Sequence, residues 1–364
     1  MALRAIQTAG RDNNFNLLRI FAASSVLISH AYPISIGPGT PEPLDYVLGM
    51  NLGTLAVLTF FAISGYFISQ SFDRNRSILD FALARALRIY PGLLAVLMLT
   101  VFVLGSVFTK VGLASFFSDR ETLLYIPRNL LLWPLQYELP GVFGDNAYPR
   151  AINGSLWTLA YEVACYAMVA VVGTFGLALN HRRFASFLVV CAVCYIAAFP
   201  LLRSNYDHLT ILRNIHLLAL PFVIGMALFQ FRKQVPLRFP IMLVLGAASA
   251  ISYGSPWFHE LFVLTWSYSV LYLGFLQYKP LLAYNRLGDY SYGTYIYGFP
   301  MEQVIAALYK GCSPLVLMTL SLPLTLLFAI FSWHCIEERA LGQRSFVTAW
   351  LRRRVKSPTV NPSQ

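Results

Sequence analysis

Asn16-Leu-Leu-Arg19-Ile-Phe-Ala-Ala-Ser-Ser-Val-Leu-Ile-Ser-His30 sits inside an apolar run, 15–36, that is long enough to cross a bilayer. Yet it carries an arginine and a histidine. Arg19 and His30 are eleven residues apart. On a helix they therefore leave within ~20° of one direction, roughly 16 Å apart along the axis. Ionisable groups in a membrane helix are costly and face a bundle interior or a wet cavity. The run thus reads as a spanning helix with one polar face.

The rest of the chain repeats the apolar pattern. Of 364 residues, 57% are hydrophobic and 12% charged, outside the range of ordinary soluble domains. The apolar residues gather in blocks of about 16–24, the signature of a helical multi-span protein. The expected architecture is an all-α polytopic membrane bundle of about ten helices. It has a short N-terminal segment (1–14), a membrane domain (15–335) and a basic tail (336–364). No cleavable signal peptide is evident in the polar opening residues.

Net charge is +11, but its distribution says more. Nineteen of the 27 lysines and arginines fall on one set of alternating segments and seven on the other, with Arg19 inside a span. The positive-inside rule puts the richer side, with both termini, in the cytoplasm. No basic segment accompanies a soluble domain, so nucleic acid is not an expected partner. Anionic lipid accounts for the Arg352–Lys356 cluster. Cys191-x-x-Cys194 has redox-like spacing but lies in an apolar run without polar partners, so it reads as packing.

Further spans are expected near 52–70, 91–109, from 153, and at 184–202, 212–231, 240–254, 258–278, 291–310 and 314–335. The seventh of the ten is short for a crossing. Ser64-Gly65 in the second span permits close helix contact. Residues 78–91 are amphipathic and basic and read as an interfacial helix before the third span. The loop 37–51 holds two acids and no lysine or arginine, and is placed outside. Residues 110–154, also outside by parity, form the longest connection and read as an acceptor-side lid without obvious regular structure.

Several polar residues can carry chemistry. A neutral imidazole at His30 can accept and return a proton near neutral pH, or carry an acyl group. It can also be a histidine bonded between helices. Arg19 can attract an anion or snorkel to the interface. Arg85 and Arg88 are neighbours on a helix surface and make either a phosphate site or a positive-inside anchor. Glu162 is an intramembrane carboxylate on the face of Ser155. Asp289, Ser291, Tyr292 and Tyr295 open the ninth span, while Glu337-Glu338-Arg339 closes the tenth and reads equally as a surface ion pair. His216, His259 and His334 have no evident partners and are assigned structural roles.

Taken together, these residues resemble the acyltransferase-3 family of integral membrane acyltransferases, which modify surface glycans. The resemblance rests on Arg19-x10-His30, Phe61-Ala-Ile-Ser-Gly65-Tyr66, Arg85-x-x-Arg88-Ile-Tyr-Pro91 and Ser155-Leu-Trp-Thr-Leu-Ala-Tyr-Glu162. Asp289-Tyr-Ser291-Tyr292-Gly-Thr-Tyr295 and Ser332-Trp-His-Cys-Ile-Glu337 complete it. It implies a cytoplasmic acyl-CoA donor, usually acetyl-CoA, with its phosphates near Arg85 and Arg88, and Ser291 and Tyr295 also on the donor side. His30 is then catalytic, with Arg19 positioning the donor and Glu162 assisting. The acceptor is a glycan or glycolipid hydroxyl reached from the outer side, and no metal is implied. The chain departs from the family at Tyr295-Ile-Tyr-Gly298-Phe-Pro300, where many members have a histidine. No hydrolase-like domain follows the tenth span, so acceptor delivery falls to the membrane domain or a separate partner protein. A transporter of an acyl group or glycan precursor is the alternative class. It commonly shows inverted repeats, of which none is clear here.

Overall fold

The computed structural model describes residues 13–75, 77–177, 180–204 and 210–356. The expected N-terminal segment up to residue 12 and the Ser/Pro end of the tail, 357–364, lie outside these. The described chain is an all-α bundle with no named strand. Helix α1 is Phe15–Ile36, α2 Leu52–Asn75 and α3 Ile78–Phe108. Two short helices follow, α4 at Leu113–Ser118 and α5 at Arg120–Leu131. Then come α6 Gly154–Thr174, α7 His181–Ser204, α8 Thr210–Gln230, α9 Phe239–Ile251 and α10 Phe258–Phe275. Helix α11 is Ser291–Leu308, α12 Pro314–Ser332 and α13 Arg344–Lys356. Among the described residues, seven helices are long and apolar enough to cross a membrane, or eight if α10 and the bent segment after it count as one span.

The two remaining apolar helices explain the difference from ten. Helix α9 has 13 residues, about 20 Å of rise, so the short seventh span is short in the structure as well. Helix α11 is less hydrophobic because it does not meet lipid. It packs inside the bundle, with thirteen of its residues buried; Tyr292, Tyr295 and Gln303 find protein partners, whereas the buried Glu302 carboxyl has no hydrogen-bond partner among the described residues.

Close contacts hold this arrangement. A Cβ on Gly65 would sit 2.0 Å from the Phe222 carbonyl oxygen, and one on Gly225 would sit 2.3 Å from that of Ala62, so α2 and α8 pack backbone to backbone. Asn14, just before α1, is buried and donates its side-chain amide to the Leu276 carbonyl at 2.5 Å. Its backbone N–H reaches the Gly274 carbonyl at 2.8 Å, tying the start of α1 to the end of α10. Within α11, Pro300 has no N–H to offer the Ile296 carbonyl four residues back. Asn153, at the start of α6, fills that vacancy with its Nδ2 at 2.8 Å.

Three expectations change. Residues 78–91 do not form a separate interfacial helix: α3 runs unbroken for 31 residues, capped at Ser77, through Pro91 and a π-helical stretch at Leu99–Gly105. Pro91 forfeits one intrahelical bond, and at the next residue Gly92 leaves room for the Tyr292 ring, which a Cβ there would meet at 2.9 Å. Residues 110–154 contain α4 and α5 and bury Phe116, Tyr125 and Val142, so the segment is folded cover rather than irregular lid. It is pinned to α11 by Gln303, whose Nε2 reaches the Tyr148 and Ala151 carbonyls at 2.9 and 2.6 Å. Lastly, the helix of the tenth span does not stop near 335: α12 continues through Trp333–Glu337 and Glu338–Gly342 before α13 begins.

Candidate active site

Two cavities open toward opposite ends of α1. The first has a volume of about 210 Å³ and is lined by Arg19, Arg85, Arg88, Glu162, Ser291 and Tyr295, all six marked as site residues by their sequence. The second has a volume of about 670 Å³ and is lined by His30, with Glu42, Asp45, Trp157 and Phe299 among its walls. The fold therefore gathers every predicted residue except His30 into one chamber, and gives His30 another. The arginine end and the histidine end of the bundle follow from this division.

At the arginine end the three guanidinium groups are not equivalent. Arg88 is clamped by two carboxylates, Asp289 at 2.7 Å and Glu337 at 3.2 Å, and lies over the Tyr292 and Trp333 rings. Glu337 is 1% exposed and accepts a bond from Ser332 at 2.9 Å, so it is a buried brace between α12 and α3 and not a surface pair. Arg19 reaches Asp289 only at 3.9 Å and packs over Phe67. Arg85 makes no ion pair among the described residues; its Nε is buried without an acceptor, and its guanidinium lies over the Tyr166 ring. Arg85 is thus the cation with charge to spare, and Arg19 the next.

The carboxylates divide the same way. Asp289 takes the Ser291 hydroxyl at 2.6 Å along with its arginines. Burial opposes its charge, but Arg88 and Arg19 outweigh burial and hold its carboxyl below the usual range. Glu162 accepts from the Tyr166 hydroxyl and, at 3.5 Å, from Ser64, and faces the same chamber. Tyr166 follows Glu162 by four residues, a helix-neighbour spacing visible in the sequence itself.

A partition separates the chambers. The Tyr295 hydroxyl meets Thr158 Oγ at 2.6 Å and donates to the Ser155 carbonyl at 2.8 Å, with Phe60 edge-on to its ring. Thr158 and Tyr295 line the arginine chamber, while their near neighbours Gly154, Trp157 and Phe299 line the histidine chamber. Gly154 has no room for a side chain, because a Cβ there would lie 2.7 Å from the Phe299 ring. Beyond the partition, His30 stands edge-on to Phe299, with ring centroids 5.3 Å apart, and its Nδ1 is shielded without a partner among the described residues. Ser29, beside it, donates to Glu42 of the 37–51 loop.

The other histidines have partners after all. Tyr195 brings His216 and Glu260 together, and its hydroxyl donates to Glu260 at 2.7 Å, with the His259 ring 5.4 Å from that of His216. His334 meets Tyr290 at 3.1 Å and Glu338 at 3.4 Å. Sequence spacing shows only the last of these contacts, because the others join separate helices.

The acyltransferase domain family matches residues 12–334. An O-acetyl transferase of Shigella phage Sf6 is 31% identical over 349 residues, covering 92% of this chain and 98% of that protein. Nodulation protein 10 of Rhizobium leguminosarum bv. viciae is 32% identical over 167 residues, 44% of this chain and 43% of that one. No solved structure matches the chain. The match spans nearly the whole membrane domain, and seven helices among the described residues are long and apolar enough to cross a membrane: the chain belongs to the acyltransferase-3 family, and is a multi-pass membrane acyltransferase.

Proposed function

We propose that the protein moves an acyl group, in the first instance acetyl, from cytoplasmic acetyl-CoA to a hydroxyl of a surface or exported glycan. The observation that carries this reading is the division of charge within one bundle. One chamber presents Arg85 and Arg19 to an anionic donor, and the other presents His30 to an acceptor. The excess of lysine and arginine on segments at the arginine end supports placing that end in the cytoplasm, in a bacterial inner membrane. The name of the phage relative, an O-acetyl transferase, supports an oxygen acceptor and an acetyl group.

In this reading the CoA phosphates lie toward Arg85, with Arg19 as a second anchor, while Arg88 holds α3, α12 and the start of α11 together. The thioester arm points along α1 toward the Tyr295 partition. His30 accepts the proton of the acceptor hydroxyl as its oxygen attacks the thioester carbonyl carbon. The carbon–sulfur bond then breaks, and CoA leaves as a thiolate that takes up a proton on the arginine side. The Tyr295–Thr158 contact must part for the acyl group to meet His30, which gives Tyr295 a gating place and not a direct hold on the donor. Glu162, fixed by Tyr166 and Ser64, lies on the donor side and is placed to relay a proton from water to that thiolate, while His30 gives up the proton it accepted to water on its own side.

The test is glycan acetylation by mass spectrometry in cells carrying His30→Ala or Glu162→Ala, with protein abundance measured alongside. His30→Ala is expected to lower transfer by ~10²–10⁴-fold, the usual worth of a general base. Normal acetylation by a normally abundant His30→Ala protein would overturn the enzyme reading.

A further inference from the structure

The histidine chamber differs from its neighbour in charge. Two carboxylates, Glu42 and Asp45, lie in its wall, and no lysine or arginine does. Of the bases elsewhere at that end, Lys110 and Lys310 are turned to Asp145, Arg128 to Glu121 and Arg150 to Glu138. The two carboxylates are held in place by the chain around them. The backbone N–H of Glu42 donates to Asp45 Oδ2 at 2.7 Å, and the Glu42 carboxyl takes the Ser29 hydroxyl. Ser29 Oγ also accepts from the Gly53 N–H at 2.9 Å, so the loop, α1 and α2 share one polar joint beside His30.

The remaining walls suit a sugar. Trp157, Tyr46 and Phe299 offer apolar ring surface, with Tyr46 84% exposed, and the chamber is as large as typical small-molecule sites. His30 Nδ1, shielded and unpartnered, is the polar atom in its wall that still lacks a bond. Carboxylates accept hydroxyl protons at several positions, whereas a carboxylate ligand brought against them meets like charge.

We propose that this chamber takes an uncharged sugar, whose hydroxyls Glu42 and Asp45 hold, and that these two residues turn away acidic glycans. The proposal rests on the acyl-transfer reading only in calling that sugar the acceptor. Burial, with Asp45 close by, raises the Glu42 carboxyl above its usual range against the bonds from Ser29 and Asn51. The site already resists its own second negative charge, and a uronate would add a third.

The experiment uses full-length protein in lipid nanodiscs and saturation-transfer NMR. The sugars are neutral hexose and N-acetylhexosamine tetrasaccharides set against tetragalacturonate. The wild type is expected to bind a neutral sugar at least about tenfold more tightly than the uronate, in keeping with like charges a few ångströms apart. Glu42→Gln and Asp45→Asn should narrow that ratio, and Asp45→Lys should reverse it. Equal or tighter uronate binding by the wild type, no binding of any neutral sugar, or a ratio unmoved by Asp45→Asn would each overturn the proposal. Acetyl-CoA binding and consumption are measured on the same preparation. Sugar selectivity without acetyl-CoA consumption would sink the acyl-transfer reading and leave this one standing. Acetyl-CoA consumption without neutral-sugar binding would do the reverse.

Discussion

Arg85 and Arg88 are three residues apart on one helix, and the fold gives them different work. Arg88 is saturated by Asp289 and Glu337, whereas Arg85 has an aromatic face beneath it and no carboxylate. Removing one partner of a buried pair costs about 3–5 kcal/mol, because the other charge is left stranded. Arg88→Ala should therefore lower the unfolding temperature of the detergent-solubilised protein and deplete it from membranes. Arg85→Ala should leave the fold intact and raise KM for acetyl-CoA by about tenfold, the loss expected of one charged hydrogen bond. Equal thermal losses in the two variants would contradict this division. Asp289 adds a pH dependence. A carboxylate held below its unfolded pKa of ~3.9 stabilises the fold above that value, and the gain fades as pH falls through the folded pKa. The stability gap between wild type and Asp289→Asn should be full near neutrality and shrink below about pH 4. A gap that widens on acidification would show the sign to be wrong.

At the scale of elements, the joint between α6 and α11 is the one with the clearest physical cause. Pro300 strips the Ile296 carbonyl of its helical partner, and Asn153 replaces that partner from another helix. Asn153→Ala should cost roughly 1–3 kcal/mol, the usual penalty for an unsatisfied buried polar group. Pro300→Ala restores the intrahelical N–H, so Asn153→Ala should cost much less in a Pro300→Ala background. Equal costs in both backgrounds, measured by denaturant unfolding, would show that the side chain and the proline are not coupled. The joint has a functional side too. Ser155 and Thr158, which receive the Tyr295 hydroxyl, lie within the first two turns of the helix that Asn153 anchors. Loosening it should disturb the partition between the chambers before it unfolds the bundle.

For the whole molecule, the two chambers at opposite ends of α1 make function depend on orientation. If the arginine end faces the cytoplasm, a cysteine placed at Tyr46 should react with a membrane-impermeant maleimide in intact cells. One placed at Arg344 should react only after permeabilisation, both in a background cleared of native cysteines. The opposite pattern would invert the direction proposed for acyl transfer. The folded 110–154 segment belongs to this scale as well. Asn146 and Gln303 bind it to the central helix, with Asn146 Nδ2 at 2.7 Å from Gln303 Oε1, so the cover of the histidine end moves with α11 and not as a free flap.

The sequence alone determined that the chain is a helical membrane bundle, because burying apolar side chains in lipid leaves its mark in run length and composition, which need no partner to be read. It also marked Arg19, Arg85, Arg88, Glu162, Ser291 and Tyr295, since charge and hydroxyl groups in such runs stand out against their surroundings. Only the tertiary structure decided how these residues divide. Arg19 and His30 share a helix face, yet the contact of Tyr295 with Thr158 and Ser155 puts them in separate chambers. Arg88 lost its freedom to Asp289 and Glu337, which lie about 200 or more residues away in the chain. Glu42 and Asp45, in sequence no more than two acids in an outer loop, became the wall beside His30. Each of these outcomes depends on contacts between distant segments, and spacing along one helix carries no information about what another helix brings to meet it.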